Sequence, residues 1–116
     1  MIEMEIGGLG FDPKNLSPLV LLKDREELNF LPIWIGIFEA TSIAMELQQV
    51  KAPRPMTHDL LLDICNQFGA KILKVMINEV KDGTFFAVIE METKDGKKIS
   101  VDSRPSDAIA LAVRTH

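Results

Sequence analysis

Ile99-Ser-Val-Asp-Ser-Arg-Pro-Ser-Asp-Ala-Ile-Ala-Leu-Ala-Val-Arg114 decides how the rest of the chain is read. It opens as the end of a strand, passes through a tight polar turn and continues as a helix. Every residue from Ala108 to Val113 is apolar, so that run has no wet face. A helix apolar all round is either buried on several sides or crosses a membrane. A crossing needs about 20 residues, so this helix belongs in a core. Its mouth is charged: Asp102, Ser103, Arg104, Ser106 and Asp107 crowd the turn.

Working back toward the N-terminus, the period changes twice. Ile72 to Val80, Thr84 to Glu92 and Lys98 to Asp102 read as three consecutive strands. Lys81-Asp82-Gly83 and Lys94-Asp95-Gly96 supply the hairpin chemistry between them. Before these, two segments have helical spacing. One carries Ile37, Ala40, Ile43, Ala44 and Leu47. The other carries Leu60, Leu61, Ile64, Cys65 and Phe68 and stops at Gly69, with Thr57 as the expected N-cap. Lys51-Ala-Pro-Arg-Pro55 separates the two.

The first third reads as strands over 2–9, 18–23 and 28–35. Pro32 marks the third as an edge or bulged strand, because proline cannot donate to the ladder. The expectation is a single α+β domain spanning 1–116, in the order βββ-αα-βββ-α. Its sheet would be antiparallel or mixed, and the last of its three helices buried.

Composition narrows the function classes. The chain has 116 residues, 47% of them hydrophobic and 26% charged, enough for a core without staples. The one cysteine, Cys65, forms no internal disulfide and fits a reducing compartment. No signal-peptide pattern follows Met1, and no apolar run is long enough to span a membrane, so a cytoplasmic protein is expected. A net charge of −4 argues against a general nucleic-acid coat protein. It leaves room for an enzyme that meets phosphates locally.

Two helix starts share ingredients: Arg54-Pro55-Met56-Thr57-His58-Asp59 and Arg104-Pro105-Ser106-Asp107. Capping and dipole complementarity account for the prolines, hydroxyls and acids. The arginines face a positive helix end, which suits them only if an anion lies close by, either a carboxylate or a bound phosphate. A structural Arg–Asp pair is the commoner of these. Asp102, Asp107, Asp59 and Glu39 sit near element ends. If they converged they could hold Mg²⁺ or Mn²⁺. His58 can move protons near neutral pH. No zinc pattern, Walker loop or dinucleotide glycine motif accompanies them.

These residues resemble the bifunctional nuclease domain family. The likeness rests on Leu31-Pro-Ile-Trp-Ile-Gly36 with Glu39-Ala40, on Arg54-Pro55 with Thr57-His58-Asp59-Leu60, on Asp82-Gly83-Thr84-Phe85, and above all on Val101 to Arg114. The resemblance implies hydrolysis of phosphodiester bonds in DNA and RNA with little sequence preference. It implies a site drawn from Glu39, Arg54, His58, Asp59, Asp102, Arg104, Ser106 and Asp107. In that site Asp102 and Asp107, with Glu39, are expected to bind a divalent metal or orient water. Arg54 and Arg104, with Ser106 and Asp59, would meet the substrate, and His58 would transfer a proton. The two helix starts would face each other across one anion-binding pocket.

Family members usually run on past the position of His116, which leaves open whether the domain is shortened there. The alternative is a non-enzymatic module whose Arg/Asp cluster is structural or binds an anionic ligand. The edge strand bearing Pro32 makes a homo-oligomer a further candidate.

Overall fold

The computed structural model describes residues 2–14, 16–82 and 84–115. Gly83 of the second hairpin turn and the terminal His116 lie outside them. The elements are β1 (Glu5–Asp12), β2 (Ser17–Lys23), β3 (Phe30–Trp34), α1 (Ile37–Leu47), α2 (Thr57–Gln67), β4 (Lys71–Lys81), β5 (Thr84–Glu92), β6 (Lys98–Ser103) and α3 (Pro105–Thr115). This is the expected order. The strands form two separate antiparallel sheets, β1-β2-β3 and β4-β5-β6.

Local chemistry sets the corners. Asp24 is buried in the β2–β3 turn. Its carboxylate accepts the backbone N–H groups of Leu28 (2.9 Å) and Asn29 (3.2 Å) and the Asn29 side-chain amide (2.7 Å). β3 is an edge strand, where Pro32 sits opposite Leu21 and withholds no ladder bond from an outer neighbour. In β1 the register slips between Ile6 and Gly8, a bulge inside the glycine-rich run. That run is part of the strand, so β1 reaches Asp12 rather than stopping at residue 9. At the end of α2, Gly69 has φ of 71° and donates to the Asn66 carbonyl, while Ala70 N–H reaches the Cys65 carbonyl. These paired bonds form a Schellman motif, which favours glycine at that position.

α3 explains its own all-round apolarity. Ile109 and Ala110 pack with Val20, Leu22, Ile33, Ile35, Ala40 and Ile43 against the first sheet. Ala108 and Leu111 pack with Ala87, Ile89 and Met91 on the second. The helix is a wedge between two cores, with each side covered by a different sheet.

Two expectations need correction. Thr57 does not cap α2: Met56 is the N-cap residue, and Asp59 at the third helical position accepts the Met56 N–H at 3.2 Å. Most of the apolar stripe of α2 is not core. Leu60, Leu61, Ile64 and Phe68 are all exposed, Phe68 at 77%, while Leu62 and Cys65 turn inward. Helical periodicity identifies a stripe, but it cannot say whether another element covers it.

This distribution has a thermodynamic consequence. Ile43 is fully buried, so Ile43→Ala is expected to lower unfolding stability by about 2–5 kcal/mol. Leu60→Ala, on the exposed stripe, is expected to cost less than about 1 kcal/mol. Urea unfolding of both variants measures the contrast, and equal losses would contradict this packing.

Candidate functional site

The polar residues at the helix starts form a chain of contacts through the three helices. Ser42 from α1 and His58 from α2 are both buried, and Ser42 Oγ lies 2.7 Å from His58 Nδ1. His58 Nε2 lies 2.9 Å from Asp107 Oδ1 in the first turn of α3. Arg104 then donates through Nε (2.9 Å) and a terminal nitrogen (2.8 Å) to Asp107 Oδ2. That same terminal nitrogen stands 3.8 Å from Glu39 Oε2 at the start of α1.

The electrostatics of this chain are consistent. Burial pushes the Asp107 carboxyl up, but hydrogen bonds from His58 and Arg104 and the guanidinium charge outweigh it, holding the group below the ordinary carboxylate value. Ionised Asp107 can only accept, so His58 Nε2 carries a proton. With neutral imidazole, Nδ1 then accepts the Ser42 hydroxyl. Serine, histidine and aspartate are in contact here, but Ser42 is 3% exposed and both ring nitrogens are occupied. The arrangement ties three helices together.

A second contact lies one residue along. Arg114, at the other end of α3, donates through Nε to Asp59 Oδ1 at 2.8 Å. Its terminal nitrogens reach the carbonyls of Ala110 (2.9 Å) and Ser42 (3.1 Å). The Arg114 hydrogen bond, with the Met56 N–H and the guanidinium charge, keeps the Asp59 carboxyl below its ordinary value despite partial burial. Arg114 is nearly buried and forms one wall of a cleft of about 310 Å³ between the end of α1 and the start of α2. The cleft also presents Glu46, Lys51, Arg54 and Asp63. Among the described residues none of these four makes a hydrogen bond or ion pair through its side chain.

The sequence-expected residues therefore divide. His58, Asp107, Arg104 and Glu39 come together, and the two helix starts do meet, through His58 and Asp107. Arg54 and Asp59 line the cleft, which does not include Arg104. Ser106 is buried in the first turn of α3. Asp102 stands in register with Val88, out of phase with the Ala87, Ile89 and Met91 face that α3 covers. It is exposed, and no contact joins it to the network.

Sequence reasoning passed over Ser42, Lys51, Asp63 and Arg114. Ser42 lies inside a helix with no local signature. Lys51 lies three residues before Arg54 in the same proline-broken segment and was the accessible clue. Among the described residues no three His, Cys, Asp or Glu side chains converge to hold a metal ion. Both oxygens of Asp107 accept hydrogen bonds within the protein, from His58 and from Arg104.

The chain belongs to the bifunctional nuclease domain family, whose model matches residues 20–116. It is also similar to two proteins of Mycobacterium tuberculosis. They are named uncharacterized protein MT1877 (strain CDC 1551 / Oshkosh) and uncharacterized protein Rv1829 (strain ATCC 25618 / H37Rv). Each is 38% identical over 114 residues, which is 98% of this chain and 67% of the relative's length.

Acid should weaken this arrangement. Asp107 and Asp59 bind a proton less readily folded than unfolded, so the unfolded chain takes up more protons at low pH. Their contribution is complete above the ordinary value of 3.8 and is lost as pH falls below it. The urea midpoint of the native chain is expected to fall between about pH 6 and pH 3. Asp107→Asn should start lower and fall less. Parallel curves for the two proteins would contradict the assignment.

Proposed function

We propose that this domain hydrolyses phosphodiester bonds of DNA and RNA, and that its substrate enters the cleft between α1 and α2. One observation carries the reading: Lys51 and Arg54, without side-chain partners among the described residues, share that cleft with the carboxylates Glu46 and Asp63, which likewise have none there. Free cations in a concave site can hold phosphate oxygens and stabilise charge that develops on them. A free carboxylate within the same space can take the proton from an attacking water. Family membership supplies the reaction class, and the cleft supplies groups suited to it.

On this reading Arg54 and Lys51 bind the phosphate, and Asp63 is the general base. Asp59 and Arg114 are positioning residues that hold the cleft wall. The Ser42–His58–Asp107–Arg104 chain orients the helices that carry these groups. The chain's net charge of −4 then matters less than the local sign, because Lys51 and Arg54 are the groups aimed at the substrate. The assay below reads a metal requirement directly.

The experiment is cleavage of end-labelled single- and double-stranded DNA and RNA by purified protein, with Mg²⁺, with Mn²⁺ and with EDTA. Cleavage is expected, reduced about 100-fold or more in Asp63→Asn. It should be strongly reduced in Lys51→Ala/Arg54→Ala, and close to native in Asp102→Asn. Undiminished cleavage in the cleft variants would move the site elsewhere. Absence of cleavage under every condition, with binding that depends on Arg54, would establish the anion-binding module instead.

A further inference from the structure

Four strands end a sheet in this fold, and three of them are defended against pairing with another chain. β1 carries the bulge between Ile6 and Gly8. β3 carries Pro32. β4 has register slips at Ile72/Lys74 and at Asn78/Lys81. Bulges and prolines are the usual protections of a sheet edge. β6 has neither. Its six residues run in unbroken register with β5, from Ala87 opposite Ser103 to Glu92 opposite Lys98.

β6 is also uncovered on the side that faces the core. Ile99 and Val101 stand in register with Met91 and Ile89. Those two β5 residues are 8% and 6% exposed, whereas Ile99 and Val101 are 36% and 40% exposed. α3 packs on β4 and β5, while Ile99 and Val101 on β6 stay more exposed than the β5 residues beside them. α2 ends at that side of the sheet, since a Cβ on Gly69 would stand 3.0 Å from Lys94 Cβ in the β5–β6 turn, and nearby Phe68 is exposed.

The sequence of β6, Lys98-Ile-Ser-Val-Asp-Ser103, complements itself under a two-fold rotation. Set antiparallel about Ser100, Lys98 falls opposite Asp102 of the second copy, and Ile99 opposite Val101. Opposite charges then pair on one face, where among the described residues neither Lys98 nor Asp102 makes a hydrogen bond or ion pair through its side chain. The apolar pairs meet on the other face, where the chain's own helices leave them open. A two-fold interface requires this kind of self-matching, and cross-strand pairs of both types are stabilising.

We propose that β6 is a dimer-forming edge, through which two copies of this chain join antiparallel about Ser100 into one six-stranded sheet. The proposal does not depend on the hydrolytic reading, and it gives exposed Asp102 a task away from the cleft.

Sedimentation velocity on the full chain, from about 1 to 100 µM, tests it. A concentration-dependent dimer is expected. Asp102→Lys places lysine opposite lysine twice, and Lys98→Asp places aspartate opposite aspartate twice. Each should weaken dimerisation about tenfold or more. The double variant Lys98→Asp/Asp102→Lys should return to within about threefold of native. Mixing the two single variants should give a heterodimer tighter than either alone, because both charge pairs become complementary again.

Circular dichroism checks that each variant is folded, and the mixing result reads the register separately from any general loss of stability. A monomer throughout the range would overturn the proposal. So would a dimer indifferent to the single variants, or one that neither the double variant nor mixing restores.

Discussion

One imidazole holds the three helices of this domain together. His58 reaches Ser42 on α1 with one ring nitrogen and Asp107 on α3 with the other, and all three helices depend on that reach. Burying polar groups is tolerated only when each finds a partner, and among the described residues no buried side-chain polar atom lacks one. The neighbouring residue makes a second connection, since Asp59 grips Arg114 and Arg114 grips the Ser42 carbonyl. Two consecutive residues of α2 thus engage both ends of α3. Because α3 is the wedge between the two sheets, fixing α2 and α1 on it fixes the relation of the two cores.

The same constraint shapes the cleft. Arg114 is committed to Asp59 and to two backbone carbonyls, so it acts as wall. The segment between α1 and α2, broken by Pro53 and Pro55, is left to present Lys51 and Arg54 outward beside Glu46 and Asp63. The two Arg-Pro helix starts look alike in sequence and are used differently. Arg104 turns onto Asp107 and Glu39 and is internally compensated, with the Asp107 hydrogen bond and charge pushing its pKa up. Arg54 has no side-chain partner among the described residues.

Much of the fold could be read from the chain because its signals are local. Alternation gave the strands, the Asp-Gly turns their order, Gly69 the end of α2 and Pro32 the edge. The all-apolar run of α3 correctly indicated burial on several sides, with Ala108 to Leu111 buried. The failures share a cause: they depend on what lies across space. Nothing near Leu60 or Ile64 reveals that no element covers α2. Nothing near Thr57 shows that Met56 takes the N-cap position, with Asp59 accepting its N–H. Nothing in the sequence near Ser42 announces a partner 16 residues away, or near His58 a partner 49 residues away. The candidate site was legible as a collection of residue types, and its division into an internal network and an open cleft was not.

The most direct test is the state of His58 by long-range proton–nitrogen NMR at about pH 8, where an ordinary histidine is neutral. Ionised Asp107 requires the proton on Nε2, with Nδ1 unprotonated and accepting from Ser42. The expected result is that single tautomer in the native chain, with its preference weakened in Asp107→Asn. A His58 with its proton on Nδ1, or one averaging between tautomers like a solvated imidazole, would contradict the three-helix junction.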